Sequence, residues 1–117
     1  MKKTIAFLPL LLIALLISFA CKDKKVRPEN LLPREDFVNI LTDIHLTDAW
    51  LERKGIQGDS LVIYNKANFE QILANYHANR KAFNATYAFY IQNPGDFDLI
   101  YLDVIDKLSQ MQADANK

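Results

Sequence analysis

Hydrophobic and polar positions divide the chain into a short opening run and a longer periodic stretch. Ile5 to Ile17 is apolar apart from Pro9, with Lys2 and Lys3 ahead of it. From residue 33 onward the apolar positions recur at helical spacing, about 100° per residue. The first such stretch runs from about Pro33 to Lys54 and aligns Phe37, Ile40, Leu41, Ile44 and Leu51 on one stripe. Pro33 suits a first helical turn, Glu35 and Asp36 suit the positive end of the dipole, and Arg53, Lys54 and Gly55 close the other end. After the loop Gly55-Ile56-Gln57-Gly58, Asp59 or Ser60 caps a second helix with Val62, Phe69, Ile72, Leu73 and Tyr76 inward. His77 falls near its C-terminal end, where an imidazolium would suit the dipole. Asn79 opens a third helix with Phe83, Thr86, Tyr87 and Tyr90 inward. Asn93-Pro94-Gly95-Asp96 joins a cap, a first-turn proline and an acid three residues on. It starts a fourth helix that repeats Phe97, Ile100, Tyr101, Val104, Leu108 and Met111. No segment alternates with period two and no heptad is sustained. The expected fold is all-α, a small compact bundle of about four amphipathic helices with tyrosines lining its core.

Composition and charge narrow the reading. The 117 residues make room for one domain. Fourteen basic residues balance fourteen acidic ones, so no strongly basic surface points to nucleic acid. One cysteine excludes an internal disulfide framework and a multi-cysteine zinc site. The opening run, with its lysines before it and Ser18 and Ala20 after it, reads as a signal peptide over residues 1–20. Ile5 to Ala20 is shorter than the roughly 20 residues that a spanning helix needs. An uncleaved signal anchor is the alternative.

Cys21 stands where the apolar run ends, and its position resembles a bacterial lipobox. The resemblance implies that Cys21 receives a thioether-linked diacylglycerol and an N-acyl chain, the only cofactor-like group expected. One acyl chain holds marginally and two or more anchor stably, at about 0.8 kcal/mol per buried methylene. A secreted protein with a free thiol is the competing outcome. Residues 21–31 are then a flexible tether and residues 32–117 the helical domain. Lys22, Lys24, Lys25 and Arg27 outnumber Asp23 and Glu29, leaving the tether at +2. The absence of Asp directly after Cys21 resembles outer-membrane sorting, with the periplasmic face preferred. Lys22-Asp23 keeps surface exposure open.

Three features occur together: a Cys-Lys leader; Asp43-Ile44-His45-Leu46-Thr47-Asp48-Ala49; and Phe69-Glu70-Gln71-Ile72-Leu73 leading to Tyr87-Ala88-Phe89-Tyr90-Ile91-Gln92-Asn93-Pro94. In this order and spacing they resemble a family of small Bacteroidota lipoproteins catalogued as a domain of unknown function. The resemblance covers roughly Leu31 to Leu108 and implies a helical fold in a cell-envelope setting. It implies no activity.

His45 and Asp48 lie one helical turn apart, and Asp48 falls within the apolar stripe between the directions of Ile44 and Leu41. They are expected to form a buried polar pair, because an unpaired buried charge is costly. A contact to a partner is the other possibility. As metal ligands the two make half a site, so no metal is expected. Ser60 and His77 lack a nucleophile elbow and an oxyanion hole around them, and no Walker or dinucleotide glycine pattern occurs. An enzyme is not expected. Leu46 and Trp50 point 180–220° away from Phe37 on the first helix, while Phe89, Leu99 and Leu102 also lie off their stripes. Either the first helix buries both faces, or these five side chains form a docking face for a protein partner. The expected function is a membrane-anchored, non-enzymatic interaction module or accessory subunit of an outer-membrane assembly. The alternative is a periplasmic chaperone-like or small-ligand or metal-binding helical module.

Overall fold

The computed structural model describes residues 27–117, in which four helices follow one another. They are α1 (Arg34–Arg53), α2 (Asp59–Asn75), α3 (Arg80–Ile91) and α4 (Pro94–Ala115). Among the described residues there is no strand, and the fold is all-α. The expected signal peptide, Cys21 and the tether as far as residue 26 lie outside the described residues.

Local chemistry sets most helix ends. Pro33 precedes α1 and its carbonyl accepts from the Phe37 N–H at 3.0 Å, with Glu35 and Asp36 in the first turn. At the other end, the Gly55 N–H donates to Glu52 O and the Ile56 N–H to Leu51 O, with Gly55 at φ +67°. This paired closure needs a left-handed residue, which glycine supplies without a Cβ penalty. The same closure ends α2, where the His77 N–H donates to Ala74 O and the Ala78 N–H to Leu73 O. Here the left-handed residue is His77 itself, at φ +51°. Asn79 caps α3 as its sequence suggests, its Oδ1 accepting from the Ala82 N–H at 2.8 Å.

Two caps differ from expectation. Gly58, at φ 66° and ψ −142°, holds the N-cap position of α2 in place of Asp59 or Ser60. The loop enters the helix through backbone angles that a side chain would disfavour, so the cap position falls to glycine. Asn93 is buried and turns its Nδ2 back to Phe89 O at 2.6 Å, leaving α4 without a side-chain cap. The Phe89 carbonyl, freed in the last turn of α3, takes the Nδ2 donor and turns the amide away, so its Oδ1 does not accept from the first N–H groups of α4.

α1 packs against both α2 and α4, and α4 against α3. The core gathers Phe37, Ile40, Leu41, Leu73, Phe83, Tyr90, Ile100 and Val104. Phe37 stacks on Tyr90 at 5.2 Å and tilts against Phe83 at 5.7 Å, and Phe69 meets Phe83 edge-on at 5.1 Å. Neighbours on two sides widen the buried face of α1 to include Val38 and Thr42, which lie outside the expected stripe. Thr86 is fully buried: its Oγ1 accepts from the Leu32 N–H at 2.9 Å and donates to Ala82 O, pinning the entry to α1 against α3.

On α2 the buried positions are confined to the second half, and on α4 to the first half. Val62, on the expected inward stripe, is therefore 68% exposed, and Met111 is also exposed. Their helices run beyond the elements that would cover them. Among the tyrosines, Tyr90 is buried, Tyr76 and Tyr101 are half-buried, and Tyr64 and Tyr87 are exposed.

Candidate functional site

The far end of the α1–α2 hairpin carries apolar side chains that nothing in the domain covers. Leu46 and Trp50 project from the second half of α1, with Trp50 50% exposed. Val62, Ile63 (69% exposed) and Tyr64 project from the first half of α2. Lys54 Nζ lies 5.7 Å from the centre of the Trp50 ring, a cation–π contact that leaves the rest of the indole available. Only Leu51 is fully buried in this part of α1, and it stands outside the main core cluster.

A second patch lies at the other end of α1. Phe89 and Leu99 line one cavity of about 280 Å³ with Arg27, Arg34, Tyr90 and Asp96. Phe89 is half-buried, its ring edge-on to Tyr90 at 5.3 Å, whereas Leu99 (53%) and Leu102 (59%) are open. Of the five residues expected to make one docking face, Phe89 and Leu99 lie apart from Trp50. Arg34, beside Phe89 and Leu99, precedes Trp50 by sixteen residues of helix, roughly 24 Å along the axis. Phe89 also gives much of its ring to the core.

His45 and Asp48 do not form a buried pair; both are exposed. His45 sets its ring against Tyr101 on α4, with centroids 5.9 Å apart. Asp48 faces an open cavity of about 540 Å³ between α1 and α2, with Ile44, Phe69 and Ile72 at its apolar side and Asn65, Lys66 and Arg80 at its rim. The angular position of Asp48 on α1 is as expected, but a stripe is buried only where a neighbour closes over it. At Asp48 the hairpin is open, and the carboxylate stays exposed.

The acid held by the fold is Asp43, two positions before His45. Its Oδ2 accepts a 2.8 Å hydrogen bond from the Tyr76 hydroxyl. Asp43 lies off the apolar stripe, so a search for acids within the stripe misses it. The available signal was Tyr76 itself, since an inward tyrosine needs an acceptor on the helix it packs against. Burial, then the hydrogen bond and charge of Asp43 and the charge of Asp36, push the Tyr76 phenol up to about 12. A raised phenol favours the protonated form in the fold. Its contribution to stability is complete below about pH 10 and is lost as pH rises through about 12. An ultraviolet phenolate titration should show a late step near pH 12 that Tyr76→Phe removes and Asp43→Asn moves downward. Five tyrosines ionising together near their ordinary value would contradict the contact.

Among the described residues no three His, Cys, Asp or Glu side chains come together as metal ligands. Taken as a class, the chain is a small helical domain with uncovered apolar patches at both ends of its central helix. It belongs to the family described as a domain of unknown function, DUF4296, whose model matches residues 28–114. No curated protein and no solved structure matches it.

Proposed function

We propose that this protein is a lipid-anchored, non-enzymatic interaction module of a Bacteroidota cell envelope. In this reading it is an accessory subunit of an outer-membrane assembly, and its protein partner docks on the far end of the α1–α2 hairpin. The observation that carries the reading is the uncovered group Leu46, Trp50, Val62, Ile63 and Tyr64. Single exposed apolar residues are ordinary, but Leu46 and Trp50, one turn apart on α1, with Val62 and Ile63 exposed at the start of α2, exceed that scatter. Tryptophan and tyrosine are also the side chains that most often dominate binding energy.

Cross-linking at native expression, followed by mass spectrometry, identifies what stays with the domain. Trp50→Ala and Ile63→Ala are each expected to lower recovery of that partner by about tenfold or more, as for a hot-spot truncation. The melting temperature should stay within a few degrees, because exposed positions change stability by about 0.5 kcal/mol or less. Unchanged recovery would remove this end of the hairpin from the interface, and a collapsed fold would make Trp50 structural.

A second reading has support in the open cavity between α1 and α2, where Ile44, Phe69 and Ile72 offer apolar contact beneath a charged rim. In that reading the domain is a chaperone-like or small-ligand module. Many substoichiometric clients, in place of one stoichiometric partner, would favour it.

A further inference from the structure

We propose that the α3–α4 end of the domain, around Phe89, Leu99 and Leu102, rests against phospholipid headgroups and points the tip of the α1–α2 hairpin away from the membrane. The inference rests on Cys21 carrying the lipid anchor, and it adds an orientation to the proposed function.

The length of the tether and the place where it joins the domain carry the argument. The described chain begins at Arg27, whose Nη2 donates to Leu32 O at 2.6 Å. Arg27 lines the same cavity as Phe89 and Leu99. Six residue steps separate Cys21 from Arg27, at most roughly 20 Å of extended chain. A lipid on Cys21 therefore holds this cavity within about 20 Å of the headgroups, whatever path the tether takes. Trp50 lies roughly 24 Å farther along α1 from Arg34, which shares that cavity.

The chemistry at the near end suits a shallow contact. Leu99 and Leu102 sit three residues apart on α4 and lack cover within the domain. The tether brings a net +2 toward a phosphate-bearing surface, an attraction effective within a Debye length of about 10 Å. Arg34 is already matched by Asp103. Asp96 lies at the cavity, and Asp98 and Asp106 flank Leu102 one turn away on either side. These acids oppose insertion into the acyl region, so the attraction toward the headgroups comes from the basic tether and the apolar side chains alone.

The test uses the full lipidated chain in vesicles of phosphatidylethanolamine and phosphatidylglycerol that contain a phospholipid with a nitroxide quencher on its headgroup. Trp50 is the single tryptophan, so the native chain reports on the hairpin tip. The double variant Trp50→Phe with Leu99→Trp reports on the α3–α4 end. Loss of fluorescence from the indole placed at position 99, with native Trp50 unquenched, is the expected result. Quenching of Trp50 instead, of both, or of neither in vesicle-bound protein overturns the orientation while leaving the anchor intact. Protein that fails to float with the vesicles sinks the anchor reading and this inference with it. A photoreactive phospholipid gives an independent check on the native chain. It should label peptides from residues 94–105 and spare residues 46–64, and the reverse pattern refutes the proposal.

Discussion

Phe37→Ala should cost about 3–5 kcal/mol of folding stability, the usual range for removing a buried aromatic ring. Phe37 is fully buried on α1 and reaches Tyr90 and Phe83 on α3, so its ring ties the central helix to an element with which α1 shares little other surface. Truncation would leave a cavity bordered by two aromatic rings held in place by their own helix. A domain of this size is stable by on the order of 5–10 kcal/mol, so the loss removes roughly half of that. Urea unfolding should show the midpoint collapse, and melting should fall by about 15–30 °C. Val62→Ala is the control from the same kind of apolar stripe and should change stability by about 0.5 kcal/mol or less. Equal effects at the two positions would mean that the core extends farther along α2 than the structure shows.

Cys21→Ala should abolish incorporation of a labelled acyl chain and release the protein from the membrane fraction or leave its precursor uncleaved. The expected effect is all-or-none for a physical reason. Among the described residues no helix is long and apolar enough to cross a membrane. The apolar run before Cys21 is also shorter than a spanning helix requires. A shallow contact through Leu99 and Leu102 buries far less than two acyl chains and would not hold the protein by itself. A Cys21→Ala protein that still takes up label and fractionates with membranes would end the lipoprotein reading.

The candidate surface is partly legible in the sequence. Leu46, Trp50, Leu99 and Leu102 were marked by their angles alone, and they are exposed. Angle alone does not reveal that Trp50 and Leu99 lie far apart, because a helical wheel discards position along the axis. It also misplaces Val62, whose direction is inward but whose side chain no neighbouring element covers. Asp48 is the polar counterpart of the same error. Asp43 was missed for the opposite reason: it lies off the stripe, yet α2 packs close enough for the Tyr76 hydroxyl to find it.

What the sequence determined by itself is the set of local events whose causes lie within a few residues. These are four helices with nearly the expected bounds, the glycine that ends α1, the Asn79 cap, and the proline at the head of α4. Tertiary structure decided where those helices stop covering one another. It left Val62, Ile63 and Tyr64 of α2 exposed, turned Asn93 back toward α3, paired Asp43 with Tyr76, and placed Arg27 at the same cavity as Leu99. Backbone hydrogen bonds and caps are satisfied between near neighbours in the chain, so a local pattern encodes them. Burial depends on a second element arriving at the right depth, and periodicity along one helix carries no record of it.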